Sequence, residues 1–117
     1  MLGDTHFDAD VLGVVQSDIW KWGGFSKVTP LARRIVNAGA WYCPHFLAGP
    51  IGILASAHCL AAAGGNGILE IDNNPNPLRD TLTGGIPTIV DGLMELPSGA
   101  ELGMAPDADV IKEFRVA

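Results

Sequence analysis

The chain has 117 residues, enough for one domain, and 48% of them are hydrophobic, with a mean hydropathy of +0.27 that suggests more apolar surface than a free-standing chain of this size covers alone. The net charge is −6 and the pI about 4.7, which argues against a nucleic-acid surface. Arg33-Arg34 is the one basic pair, and it reads as a solvated helix face.

Residues 1–10 are a polar lead with little pattern, with His6 expected at the surface. The opening Met1-Leu2-Gly3-Asp4 has no basic n-region, so no signal peptide is expected. The apolar run from Gly13 to Ile19 then predicts a strand, with Val14, Gln16 and Asp18 on one face and Val15, Ser17 and Ile19 on the other. It ends on a carboxylate, and Gly23-Gly24 follow to turn the chain. In parallel α/β folds, that end of a strand is where chemistry usually sits.

Val28, Leu31, Ala32, Ile35 and Val36 recur at helical spacing. Thr29 as N-cap with Pro30 at the first helical position predicts the start, since an earlier start near Ser26 would strain the helix at Pro30. Gly39 predicts the stop. Ala40 to Cys43 is a second short strand, ending at Pro44-His45.

A second helix is predicted over Pro50 to Ala63. It is apolar nearly all round, so its outer side is expected to meet another subunit or domain. The apolar stretch from Phe46 to Ala63 is a poor membrane span, because Gly49, Pro50, Gly52, Ser56 and His58 interrupt it. No membrane segment is therefore expected, and the default is a cytoplasmic protein. Cys43 and Cys59 lie among apolar residues and read as buried free thiols.

Gly64 to Gly67 turns the chain into a third strand, Ile68 to Asp72. Strand, helix, strand, helix, strand calls for parallel pairing with right-handed crossovers. Asn73 to Pro77 is a loop. Asp91-Gly92, between Thr88–Val90 and Leu93–Leu96, is a hairpin signal, and Asp107 caps a final helix over Ala108 to Phe114.

Read by themselves, the polar residues admit two roles each. Asp18 is either a strand-end catalytic carboxylate or a turn cap, and His45 a base or a loop residue. Trp20 and Trp22 either wall a substrate pocket or pack on a helix. His58, inside the apolar helix, reads as a packed or interface histidine. Arg79 reads as a loop salt bridge, with an anion site as the other choice. Gly49-x-x-Gly52 and Gly64–Gly67 faintly suggest a phosphate cradle but match no full pattern.

Taken in order, Asp18-x-x-x-x-Gly23-Gly24, Pro44-His45, Leu69-Glu70, Asn76-Pro77-Leu78-Arg79, Asp91-Gly92, Glu95-Leu96-Pro97 and Leu102-Gly103 resemble the C-terminal part of the enolase superfamily. The likeness is to its mandelate racemase branch, which includes acid-sugar dehydratases, within the wider mandelate racemase and muconate lactonizing group. It covers about residues 11–115, and Asp18 and His45 stand 27 residues apart, as that family's Asp–His dyad would.

The resemblance implies an α/β chain forming three βα units, strands six to eight of a modified (β/α)₈ TIM barrel, plus a C-terminal β-hairpin and return segment. Residues 1–117 would then be the C-terminal part of a barrel domain, without the N-terminal capping domain and the first barrel strands. The size agrees: a barrel of about 250 residues spends about 30 on each unit.

By resemblance, His45 is the general base or acid acting on the proton α to a carboxylate, Asp18 orients it, and Glu70 hydrogen-bonds the substrate carboxylate or enediolate. Asp72 competes for the role of Glu70 but reads rather as a cap or loop carboxylate. Other branches carry a lysine base at this strand end; Lys21 has the wrong strand parity and reads as a surface or structural lysine. Mg²⁺ is implied for full-length relatives, its ligands coming from strands that have no counterpart in this chain.

The expected function is that of the C-terminal piece of a dehydratase or racemase of hydroxy acids or acid sugars, inactive by itself. The competing expectation is a non-catalytic α/β oligomerisation module with a relic dyad. Three parallel strands would leave two open edges and one uncovered face, so a homo-oligomer is expected.

Overall fold

Parallel strands can be joined only through a crossover long enough to return the chain to the same end, and this sequence supplies two such crossovers, both helical. The computed structural model describes residues 12–116, so the expectation for His6 lies outside the described residues. β1 (Val14–Val15) leads through a turn into α1 (Phe25–Asn37). β2 (Trp41–Tyr42) and β3 (His45–Phe46) follow, separated only by Cys43 and Pro44. α2 (Pro50–Ala63) returns the chain to β4 (Glu70–Ile71). The remainder holds α3 (Pro77–Thr81), the hairpin β5 (Ile89–Val90) and β6 (Leu93–Met94), and α4 (Ala108–Glu113).

β1 pairs with β2 and β3 with β4, both in parallel, so the chain is α/β. The amides of Trp41 and Cys43 donate to Gly13 and Val15 at 2.8 and 2.9 Å, whereas the carbonyl of Pro44 accepts from Glu70 at 2.9 Å. Odd and even backbone groups of a strand point to opposite edges. Residues 41–46 therefore act as one strand run, holding β1 on one edge and β4 on the other. The stagger explains why each ladder is short where longer strands were expected: β1 meets only the first half of the run and β4 only the second. Staggered pairing is what tilted strands produce.

α1 starts five residues earlier than the Thr29–Pro30 signal predicts. Gly23 and Gly24 adopt positive φ, and Gly24 offers its carbonyl to Lys27 and Val28, so the turn itself opens the helix. Pro30 thus lies inside α1, on its exposed side, where it removes the amide that would bond the Ser26 carbonyl. Pro30→Ala is expected to stabilise the chain by about 2 kcal/mol, read as a higher denaturation midpoint.

Val28, Ala32 and Ile35 bury one stripe of α1 against α2 and β2. The helix ends in a two-bond glycine cap, with Gly39 donating to Val36 and Ala40 to Ile35. α2 starts at Pro50 and stops before Gly64, as expected.

The outer side of α2 departs from expectation. It is covered by the chain's own C-terminal segment: His58 Nε2 lies 3.2 Å from the Leu102 carbonyl, and the β5–β6 hairpin faces the helix across a cavity of about 310 Å³. Only Ala61 and Ala62 of this helix are exposed. Much of its apolar outer side is therefore covered within the chain.

Cys43 and Cys59 are buried and free, as read. Tyr42 is fully buried and donates its hydroxyl to Cys59 Sγ at 3.7 Å, while Thr29 Oγ1 lies 3.8 Å from the same sulfur. Burial pushes the Tyr42 hydroxyl above its ordinary range. A phenol that stays neutral in the fold contributes stability that is complete below about pH 10, where the unfolded tyrosine ionises, and is lost as the pH rises toward the folded value. Denaturation midpoints measured from pH 8 to pH 11.5 should fall above about pH 10, and Tyr42→Phe should flatten that fall.

Candidate active site at the strand ends

The register of the strands assembles the site. Val14 pairs with Trp41 and Val15 with Tyr42, the same 27-residue offset that separates Asp18 from His45. His45 is the ladder partner of Glu70, whereas Asp18 lies three residues beyond Val15, the last residue of β1 that pairs with the run. Partners in a parallel pair project from the same face of the sheet. His45 and Glu70 thus share one face of the β3–β4 pair, and the side chain of Gln16, two residues before Asp18, reaches Glu70.

Asp18 is nearly buried, and its carboxylate organises the turn that follows. Oδ1 accepts from the amides of Trp20 at 2.8 Å and Lys21 at 3.2 Å, and Oδ2 lies 3.6 Å from Lys21 Nζ. Lys21 itself is a surface side chain. His45 is half-buried, and among the described residues no hydrogen bond joins it to Asp18 or Glu70. The backbone ladder pairs His45 with Glu70, and their side chains do not bond.

Glu70 is exposed, and its Oε2 accepts from Gln16 Nε2 at 2.5 Å. Gln16 was legible as a residue sharing a face with Asp18, but nothing in the local pattern pairs it with a residue 54 positions away.

The other candidates resolve into structural roles. Asp72 Oδ1 accepts from the backbone and side-chain nitrogens of Asn74, the loop carboxylate expected. Arg79 donates Nη1 to the Asp72 carbonyl and pairs with Asp80 at 3.0 Å, the expected loop salt bridge. Asn76 caps α3 and reaches the Ala48 carbonyl, tying the loop after β4 to the loop after β3. Gly52 lies under the Phe46 ring and Gly67 against the Tyr42 carbonyl, so both are close-packing positions and cradle nothing.

Trp20 is 82% exposed and does not pack as a core residue. It lines an apolar groove of about 530 Å³ with Phe25, Phe46, Ile51 and Leu82, between the starts of α1 and α2. Trp22 is half exposed and lies outside that lining. Among the described residues there is no group of three or more His, Cys, Asp or Glu side chains able to hold a metal ion, and no helix long and apolar enough to cross a membrane. The candidate residues are one imidazole and two carboxylates, side chains suited to moving a proton and to binding a hydroxylated or anionic molecule.

Comparison with known proteins adds to this geometry. Residues 4–110 match the profile of the family described as Enolase C-terminal domain-like. The chain is 27% identical over 116 residues to a D-galactarolactone cycloisomerase of Agrobacterium fabrum, an alignment covering 92% of this chain and 31% of that protein. Among solved structures, an enolase protein from Sargasso Sea environmental sequencing aligns with a TM-score of 0.73 at 25% identity, over 91% of this chain and 28% of its own. An enolase of the mandelate racemase subgroup from Agrobacterium tumefaciens aligns with a TM-score of 0.69 at 28% identity, over 86% of this chain and 27% of its own. The chain therefore spans less than a third of the length of each of these relatives.

Proposed function

This chain belongs to the enolase C-terminal domain-like family, and from that premise we propose that it is the last part of a cytoplasmic barrel enzyme that removes the proton α to a carboxylate of a hydroxy acid or acid sugar. In this reading β1, the run from β2 to β3, and β4 are strands six, seven and eight of the barrel. The observation that supports it is the parallel register, in which Val14–Trp41 and Val15–Tyr42 have the same 27-residue offset as Asp18 and His45, and His45 pairs with Glu70.

His45 takes the α-proton, and the C–H electron pair moves into the adjacent carboxylate to give an enediolate. Asp18 orients the imidazole. Its Oδ1 is already held by two backbone amides, and Oδ2 exchanges its weak contact with exposed Lys21 for the imidazole. Glu70 hydrogen-bonds the substrate carboxylate or enediolate. Trp20 and Trp22 border the approach.

The fate of the enediolate sets the reaction. Protonation on the opposite face racemises the carbon. Loss of a β-hydroxyl, with His45 returning its proton to the leaving oxygen, dehydrates the substrate. Loss of a ring oxygen opens a lactone, the outcome that the name of the Agrobacterium cycloisomerase brings forward. Family relatives generally bind Mg²⁺, but the residues described here do not form such a site, so no step above passes through it.

The test is a product screen with the intact protein as natively expressed. A panel of aldonic, aldaric and lactone substrates would be followed by a carbonyl reagent for oxo acids, by optical rotation for racemisation, and by NMR for ring opening. Turnover on one of these routes supports the proposal; none on any route overturns it.

A second reading, a non-catalytic self-associating module, is favoured by one feature. Val14 and its ladder partner Trp41, and Ile68 two residues before Glu70, are each about half exposed or more. A native mass of 12.3 kDa per chain, in a homo-oligomer without turnover, would support that reading.

A further inference from the structure

We infer that Gln16 is a positioning residue that holds Glu70 and decides which of its oxygens meets the substrate; the inference rests on the proposed proton-abstraction reading. Gln16 lies two residues before Asp18 on the same strand face and, by register, level with Cys43. Glu70 lies level with His45. The bond between them crosses the whole strand run 41–46 and joins β1 to β4, which are not neighbours in the sheet. Cys43, under that crossing, is 4% exposed, whereas Trp41, one step along the same face, is 47% exposed.

A hydrogen bond between two long exposed side chains gives little net stability after their rotamer freedom is lost. Its consequence is geometric. Gln16 Nε2 occupies Oε2 of Glu70 as an acceptor, so Oε1 is the oxygen left to face a ligand. When the carboxyl is neutral, the oxygen that accepts from an amide is the carbonyl oxygen, and the proton resides on the other. Gln16 thereby directs the acidic O–H of Glu70 toward the substrate. The segment that follows β1 then supplies one partner for each working residue, Asp18 for His45 and Gln16 for Glu70.

The test has two arms. In this 117-residue chain, the side-chain amide resonances of Gln16 are followed by NMR between pH 3 and 7. A single transition that disappears in Glu70→Gln is expected; resonances that ignore pH, or that titrate unchanged in Glu70→Gln, overturn the bridge. In the intact protein, Gln16→Leu is expected to lower kcat by about 10–100-fold, with KM changed by less than about threefold. In a Glu70→Gln background the same substitution should add less than about twofold, because it acts through Glu70. Effects that multiply fully in the double variant overturn the positioning role. An intact wild-type protein without turnover overturns the parent reading and the positioning role together, while the NMR arm still decides the bridge, so the two failures are distinguishable.

Discussion

Replacing His45 with Asn should lower turnover of the intact protein by about 10³-fold while leaving its melting curve nearly unchanged. The second half of that expectation follows from the geometry. His45 is half-buried at the start of β3 and makes no hydrogen bond among the described residues, so its removal orphans no buried partner. Its backbone pairing with Glu70 is independent of the side chain. What Asn cannot do is accept and return a proton near neutral pH, and that loss falls on the chemical step. Lys21→Met is the matched control. Lys21 is exposed and touches Asp18 only at 3.6 Å, so its loss should change turnover by less than about tenfold. If Lys21→Met is the severe variant and His45→Asn the mild one, the base has been assigned to the wrong residue. Kinetic constants for the two variants, with circular dichroism to establish folding, decide between them.

The second large effect is on stability. Gly67→Ala should cost about 3 kcal/mol or more. A Cβ at Gly67 would fall 1.8 Å from the Tyr42 carbonyl oxygen and 3.1 Å from a methyl of Leu60. The first obstacle is backbone of the middle strand run, which cannot rotate aside as a side-chain tip can. The segment entering β4 would have to move away, and the pairing of His45 with Glu70 would move with it. Gly13→Ala is the control, because a Cβ there meets nothing within 4 Å and its φ is ordinary; its effect should stay within about 0.5 kcal/mol. Urea denaturation of the two variants beside the wild type measures the difference, and equal midpoints for Gly67→Ala and Gly13→Ala would remove the argument for close strand approach.

Legibility in the sequence followed the range of the interactions. Asp91-Gly92 specified its hairpin because both residues must take positive φ, and they do. Pro50, Gly64 and Asp107 marked helix ends because capping is a matter of three or four residues. Pro30 misled because its preference for a first turn yielded to a turn that Gly23 and Gly24 had already closed. α3 was missed although Asn76-Pro77 carries a cap and a first-turn proline, a signal present and unused. Strand lengths were overread because pairing depends on which half of the middle run each neighbour meets, and no local pattern encodes that stagger.

The site divides in the same way. The 27-residue spacing of Asp18 and His45 is that of the paired strands before them, and His45 pairs with Glu70. The engagement of Asp18 by its own turn was already one of its two readings. Gln16 required the third dimension, since its partner is on a strand two places away.

The most direct measurement of the central claim is hydrogen exchange at the α-carbon. The intact native protein would be incubated in D₂O with hydroxy acids and acid sugars, and substrate and product examined by mass and by NMR. The account predicts deuterium at the α-carbon with the wild-type protein and none with His45→Asn. Exchange that survives His45→Asn unchanged, or none with any such acid, would contradict it.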